Sequence, residues 1–150
     1  MLSVHGDTAR VRFRHHAPEG RGTGGEGAVA VTADPARTVL TGSSFGGLTA
    51  LFAAARAPQR IGAAIAQPAS LWRYAEGSLV RPLVLAAQRA PVRLRLHAGR
   101  FEGAMPQQAG RLVEALQASG VDATLEVFTG GHDWAWWQPM MLRELADLLG

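Results

Sequence analysis

The chain has 150 residues, about the length of one average domain, and 47% of them are hydrophobic against 18% charged. This balance excludes a mainly disordered chain, and no run of 18 apolar residues offers a membrane span. Cysteine is absent, which excludes disulfides, cysteine-ligated zinc and thiol catalysis. All 15 basic side chains are arginines, set among 12 acidic ones for a net charge of +3, which argues against a nucleic-acid binder.

The first 28 residues differ from the rest in composition. They are rich in glycine, arginine and histidine and poor in large apolar side chains, which is typical of an irregular or disordered leader. No apolar stretch follows the basic residues, so residues 1–28 do not resemble a secretory signal. Residues 11–14 alternate in polarity and are a candidate short strand. His15 and His16 are adjacent, and adjacent side chains of an extended chain point to opposite sides, which argues against a shared metal ion.

From residue 29 onward, strand-like and helix-like patterns alternate. The strand-like runs are 38–41, 61–66, 92–98 and 121–127, and helical spacing of apolar residues follows at 48–55, 80–87, 105–116 and 141–149. This β-α-β-α-β-α-β-α order predicts an α/β fold with a mostly parallel sheet flanked by helices. In the third run, Arg93, Arg95 and His97 alternate with apolar residues, which predicts a strand with one solvent-facing side.

The first predicted strand-to-helix junction carries G-S-S-F-G at residues 42–46, which fits the pattern G-x-S-x-G. In this pattern the serine stands on a sharp, strained turn, and small residues two before and two after it let strand and helix approach. Ser44 is therefore the candidate nucleophile, and the backbone N–H of Phe45 is a candidate oxyanion donor at the helix N-terminus. The alternative is a glycine-rich turn in which Ser44 only caps the helix.

A second candidate motif, G-G-H-D-W at residues 130–134, follows the last predicted strand. A parallel sheet collects functional groups at the carboxyl ends of its strands, so His132 is expected to reach Ser44 and act as general base. The alternative is a solvated surface histidine. His97 falls inside a predicted strand, where we interpret it as a structural or solvent-facing residue.

The acid of a triad is expected between the serine and the histidine, after the penultimate strand. The loop at residues 99–103 offers Glu102, which would hold the tautomer of His132 and stabilise its imidazolium. The alternative is a surface glutamate in the first turn of the next helix. Asp133 is adjacent to the histidine and Asp122 begins the last strand, so both are weaker candidates.

These segments resemble the enterochelin (ferric enterobactin) esterase family, in the esterase-D/antigen-85-like branch of the α/β-hydrolases. The matching segments are G-S-S-F-G-G-L at 42–48, P-Q-R-I-G at 58–62, S-L-W at 70–72 and G-G-H-D-W-A-W-W at 130–137. The resemblance implies a cytoplasmic serine esterase with Ser44, His132 and Glu102 as its triad and without a catalytic metal or cofactor. It implies a small-molecule ester substrate, the ester bonds of an iron–siderophore complex, rather than a nucleic-acid or membrane partner.

The resemblance also points to substrate-binding residues. Where the family shows a second tryptophan, this chain has Arg73, which either contacts an anionic ferric siderophore or is an exposed surface residue. Trp72, Trp134, Trp136 and Trp137 are candidate aromatic contacts for catechol rings. The alternative for some of them is packing of the last helix onto the sheet, and we expect Trp72 and one of the other three to touch the ligand.

Only 43 residues precede Ser44, whereas the family has several strands and helices there and a loop that supplies a second oxyanion N–H. We therefore expect a truncated or misassigned chain start, with residues 29–150 as the C-terminal part of an α/β-hydrolase domain. Loss of one oxyanion donor typically lowers kcat by about 10²–10³-fold. The strand at 39–41 would expose a sheet edge, which favours a homodimer.

Two other functions stay open beside the siderophore esterase. The first is an inactive hydrolase remnant that acts only as an interaction module through its exposed sheet edge. The second is a general carboxylesterase or acyltransferase, because one fold hosts many substrates.

Overall fold

A computed structural model describes residues 3–5, 8–13, 27–73, 75 and 77–150 of the chain. The chain divides into two compact units, Met1–Asp34 and Pro35–Gly150. Among the described residues, no helix combines the length and the apolar character needed to cross a membrane.

The first unit contains a three-stranded antiparallel sheet. Its strands β1 (Ser3–His5), β2 (Thr8–Phe13) and β3 (Gly27–Thr32) are paired in the order β1-β2-β3. The stretch expected to be irregular, 1–28, thus contains two strands and the start of a third.

Ladder pairing explains these strands better than composition does. Val11 lies opposite Val29, and Ala9 lies opposite Val31. The backbone ladder with β2 therefore defines β1 and β3, although the segment is rich in glycine and arginine. The division between the two compact units falls after Asp34. His15 and His16 lie outside the described residues.

The second unit is a four-stranded parallel sheet with helices between its strands. The strands β4 (Val39–Ser44), β5 (Ala63–Ala69), β6 (Arg93–Gly99) and β7 (Asp122–Phe128) are paired in the order β4-β5-β6-β7. The helices α1 (Phe45–Arg56), α2 (Val80–Arg89), α3 (Met105–Ala118) and α4 (Trp134–Leu149) follow the strands in turn. The predicted α/β class and the alternation of strands and helices are confirmed.

The central strand β5 is buried on both of its faces, as strands of parallel sheets are. Ala64 and Ala66 pack into a large cluster with the apolar residues of α1, α2 and α3. Ala63 and Ile65, which alternate with them, pack with Leu148 of α4. Helix α4 therefore covers the sheet face opposite to the large cluster.

The expectation of a solvent-facing side on β6 is wrong. His97 is buried, and Arg93 and Arg95 are half-buried. Helix α4 lies over this side: the Arg93 guanidinium donates a hydrogen bond of 3.1 Å to the Leu148 carbonyl, and His97 contacts Glu144. The polar side chains of β6 are thus buried because they pair with groups of α4. The alternation of polar and apolar residues along β6 does not reveal this pairing.

The pairing of β4 with β5 shifts register at the end of both strands. Ser43 is paired with Gln67, but Ser44 is paired with Ala69, so Pro68 is passed over. Proline lacks the N–H that a ladder needs and is found in strands at bulges of this kind. The bulge therefore brings Ser44 level with the last residues of β5.

Candidate active site

Ser44 stands on the sharp turn between β4 and α1. Its backbone has φ 56° and ψ −119°, and among the described residues it is the one non-glycine with a positive φ. A side-chain-bearing residue in such a conformation costs of order 1–3 kcal/mol and persists only where the surroundings hold it. The turn places Ser44 at the N-terminus of α1, beside backbone N–H groups that have no partner within the helix.

The glycines of this turn differ in how closely other backbone atoms approach them. A Cβ on Gly42 would overlap the carbonyl of Gly46 and lie 2.9 Å from the nitrogen of Gly47. A Cβ on Gly47 would lie 3.0 Å from the Gly42 oxygen and 3.1 Å from the Gln67 oxygen. A Cβ on Gly46 would meet nothing within 4 Å. The sequence pattern predicts that small residues at 42 and 46 let β4 and α1 approach. In the structure the close approach depends on Gly42 and Gly47.

A second serine, Ser70, contacts the nucleophile candidate from the end of β5. The two Oγ atoms lie 3.2 Å apart, and the Ser70 N–H donates to the Ser44 carbonyl at 3.1 Å. Ser70 is buried. Ser70 lies beside Ser44 because of the β4–β5 register, which the sequence pattern around Ser70 does not reveal.

Glu102 and His132 are paired at the carboxyl ends of β6 and β7. Glu102 Oε1 lies 2.5 Å from His132 Nδ1, and the Gly99 N–H donates to Glu102 Oε2. The Glu102 side chain is 1% exposed, whereas that of His132 is 43% exposed. A carboxylate accepts only, so Nδ1 carries the proton and Nε2 is the acceptor, which is the tautomer of a general base.

Trp137 packs behind the histidine. Its ring centroid lies 4.7 Å from that of His132, at an interplanar angle of 83°. Trp137 is only 8% exposed, and Trp134 packs edge-on against it with a centroid distance of 6.3 Å. Of the residues expected to bind substrate, Trp137 is thus the one buried against the imidazole.

Aromatic side chains are exposed around the carboxyl ends of the strands. Phe45 and Trp72 make an edge contact at 5.8 Å, and each is more than half exposed. Trp134 and Trp136, in the first turn of α4, are about half exposed, and Phe101 in the loop after β6 is exposed as well. Phe101 was not among the predicted site residues, because a single phenylalanine in a loop forms no recognisable motif with its neighbours.

The remaining polar candidates have ordinary surroundings. Arg73 is exposed, as one of its two interpretations predicts. The Asp133 side chain accepts a hydrogen bond of 2.7 Å from the Ala135 N–H and so caps α4. Asp122 is engaged by Arg95 through two hydrogen bonds at the start of β7, away from the catalytic candidates.

One group among the described residues has the donor set for a metal ion. The ligand atoms of His97, Glu126 and Glu144 lie within 4.8 Å of one another. Each carboxylate already pairs with a cation, Glu144 with Arg95 at 3.9 Å and Glu126 with Arg143. The protein's own guanidinium groups thus balance this charge in an ion-pair network that runs from the buried His97 to the exposed Glu126–Arg143 pair.

Comparison with known families and curated proteins identifies similar chains. The Esterase family model matches residues 27–148. The iron(III) salmochelin esterase of Escherichia coli O6:H1 (strain CFT073) is 33% identical over 130 residues, covering 79% of this chain and 32% of the relative. The iron(III) enterobactin esterase of Dickeya dadantii (strain 3937) is 34% identical over 120 residues, covering 70% of this chain and 28% of the relative. The chain thus spans about a third of the length of these relatives.

Solved structures agree with this comparison. The enterobactin esterase of Shigella flexneri, crystallised in the presence of 2,3-dihydroxy-N-benzoyl-glycine, superimposes with a TM-score of 0.67 at 30% identity, covering 78% of this chain and 32% of that one. The S-formylglutathione hydrolase of Staphylococcus aureus has a TM-score of 0.64 at 17% identity, covering 80% of this chain and 54% of that one. The second likeness concerns the fold alone.

Proposed function

The chain belongs to the Esterase family, as its motifs predict, and on this premise we propose that it hydrolyses ester bonds as a serine hydrolase. Ser44 is the nucleophile, His132 the general base and Glu102 the acid that orients the base. The observation that carries the proposal is the strained backbone of Ser44 at the β4–α1 turn, at φ 56°. Strain of this kind is retained where it presents a reactive group.

The proposed reaction proceeds in two steps, acylation of Ser44 and hydrolysis of the acyl-serine. His132 Nε2 takes the hydroxyl proton as Ser44 Oγ attacks the ester carbonyl carbon, and the carbonyl π electrons move onto oxygen. When the tetrahedral intermediate collapses, the C–O bond to the alcohol breaks and His132 returns the proton to that alcohol. Water then attacks the acyl-serine in the same way, which releases the acid and restores the Ser44 hydroxyl.

The backbone N–H of Phe45 supports the oxyanion in this scheme. It stands at the N-terminus of α1, where unpaired N–H groups and the helix dipole favour negative charge. Glu102 supports the imidazolium that forms when His132 takes the proton, and its burial strengthens that interaction. The Ser44 hydroxyl contacts Ser70 at 3.2 Å, and the proposed attack requires it to turn from Ser70 toward His132 Nε2.

For the substrate we propose an ester of an iron–siderophore complex in the cytoplasm. The similar curated proteins are named iron(III) salmochelin and iron(III) enterobactin esterases. The exposed rings of Phe45, Trp72, Trp134 and Trp136 offer flat apolar surface for aromatic groups, which stack on such rings with about 0.5–1.5 kcal/mol beyond area burial. Arg73, which is exposed nearby in sequence, supplies positive charge for an anionic ligand.

Two assays test the proposal. Hydrolysis of a p-nitrophenyl ester should occur with the wild-type chain and be abolished by Ser44→Ala, and equal rates for both proteins would contradict an esterase. Ferric enterobactin cleavage, followed by chromatography, tests the substrate. An intact siderophore after long incubation, with simple esters turned over, would favour a general carboxylesterase, and no Ser44-dependent turnover of either substrate would favour the inactive remnant.

A further inference from the structure

A buried glutamine links the central strand to the first turn of α4. Gln67, in β5, has no solvent exposure. Its side-chain nitrogen lies 2.5 Å from the carbonyl oxygen of Trp137 and 3.3 Å from Nδ1 of His97. One amide group therefore contacts two elements, β6 and α4, that are distant in sequence.

The orientation of this amide follows from its partners. The Trp137 carbonyl only accepts, so the NH₂ of Gln67 must face it, and the second amide hydrogen is directed at His97 Nδ1. His97 Nδ1 is then unprotonated, and its Nε2–H donates to Glu144 Oε1 at 3.3 Å. Burial lowers the pKa of His97, which agrees with a neutral ring.

The Trp137 indole has no polar anchor of its own among the described residues. Its Nε1 is buried without a hydrogen-bond partner. The ring is held by packing, and the backbone that carries it lies in α4 and accepts a further hydrogen bond from the Gln67 amide. The ring itself packs edge-on against His132, with centroids 4.7 Å apart.

We propose that Gln67 is a positioning residue for the general base: it holds the Trp137 backbone, and the Trp137 indole fixes the plane of the His132 imidazole. Glu102 constrains the imidazole at Nδ1 only, which leaves rotation about that hydrogen bond open. The indole packs against the ring and removes this freedom. The inference rests on the proposed function in that it takes His132 to be the base.

The expected loss of kcat follows from how precisely the groups that transfer a proton must be positioned. Catalytic groups must be held within about 0.5 Å and 10–20° of the productive geometry, and a misplacement of about 1 Å can cost 10²-fold in rate. Removing the Gln67 donor while keeping its volume should therefore lower kcat and leave KM nearly unchanged, because the substrate surface is untouched.

The test compares two glutamine-to-methionine variants of the full chain. Gln67→Met removes the bond to Trp137 together with the contact to His97 Nδ1. The control, Gln117→Met, removes a bond of 2.8 Å from a glutamine to the Ala123 carbonyl at the far end of the sheet. On a p-nitrophenyl ester we expect kcat to fall roughly 10-fold or more for Gln67→Met, with KM within twofold, and to stay unchanged for Gln117→Met. A folded Gln67→Met chain with wild-type kcat would overturn the proposal.

A second measurement is independent of activity. The imidazole ¹H resonances of His132, assigned by comparison with His132→Asn, should be displaced by the ring current of Trp137 in the wild type. In Gln67→Met they should move toward unperturbed positions, and in Gln117→Met they should not. Unchanged His132 resonances in a folded Gln67→Met chain would overturn the positioning role. Failure of the proposed function would appear separately, as a wild-type chain without turnover that depends on Ser44, and the His132 resonances would still test the positioning role.

Discussion

The glycines around Ser44 differ in what a methyl group would meet, and this difference sets their tolerance to substitution. Gly42→Ala should destabilise the fold by several kcal/mol, since the new Cβ overlaps the rigid backbone at Gly46. Gly46→Ala should be neutral or stabilising by up to about 1 kcal/mol, because the site is open and alanine favours a helix. Urea unfolding of both variants checks this. Equal stability losses at the two positions would contradict the assignment of the close approach to Gly42.

The buried Glu102 carboxylate should matter to turnover more than to folding. Glu102→Gln replaces an acceptor by a group that can offer N–H to His132 Nδ1, which favours the wrong tautomer, and a change of this kind can lower kcat by about 10⁴-fold. The comparison is Glu114→Gln, an exposed glutamate of α3. Steady-state kinetics on a p-nitrophenyl ester measure both. A Glu102→Gln chain with undiminished kcat would remove Glu102 from the proposed triad.

At the scale of single residues, sequence alone selected the serine, histidine and glutamate because each follows a strand in an order that the fold requires. Ser70 and Gln67 were not selected. Their partners lie across the sheet or in another layer, 26 and 70 positions away, and depend on register and helix docking. The periodicity of apolar residues gives no information about strand register or helix docking.

Among the elements, the four strand-helix pairs from β4 to α4 were predictable because each has an apolar pattern of its own period. Helix α4 begins earlier than its apolar spacing indicates, at Trp134, since Asp133 caps it there. Strands β1 and β3 had no clear pattern, and pairing with β2 defines them. Prediction from pattern thus failed where a neighbouring element, not the segment itself, determines the structure.

The buried contact between His97 and α4 should make the stability of the fold depend on pH. Burial lowers the pKa of His97, and the hydrogen bond to Glu144 acts in the opposite direction. The groups around it are Glu144 and Arg143 from α4, Glu126 from β7 and the Gln67 amide from β5. The net effect is a histidine that takes up a proton less readily in the folded chain than in the unfolded one.

Linkage gives the sign of this dependence. Below the unfolded pKa of about 6.5 the unfolded chain binds more protons, so the free energy of unfolding falls as the pH drops, by at most about 1.4 kcal/mol per pH unit. The contribution is fully present above that pKa. Urea unfolding between pH 7.5 and 5.5 should show this decline in the wild type and a smaller one in His97→Gln. Identical slopes for both proteins would contradict it.

At the scale of the whole molecule, β4 and β7 lie at the two ends of the four-stranded order, and β4 has no charged side chain whereas β7 carries Asp122 and Glu126, so β4 is the edge that favours association between copies. We expect sedimentation to show a dimer at micromolar concentrations. Thr41→Lys, on the exposed part of β4, should shift it to monomer, because charge on an edge strand opposes strand pairing. Thr124→Lys, on the opposite edge strand β7, is the matched control and should leave the dimer intact. A wild-type monomer, or equal effects of both lysines, would contradict association through β4.

The separation of 70 positions between Gln67 and Trp137 also affects the order in which the site forms during synthesis. A chain emerging from the ribosome can form the β4–α1 turn and the contact between Ser44 and Ser70 once β5 has appeared, since these lie 26 positions apart. Glu102, His132 and the indole behind it emerge later, and the last of them is secured only when α4 docks. The nucleophile is therefore assembled before its base: a nascent chain that has not yet exposed residue 132 carries a serine with no group to take its proton, and a chain clipped before α4 keeps His132 but lacks the indole that packs against it.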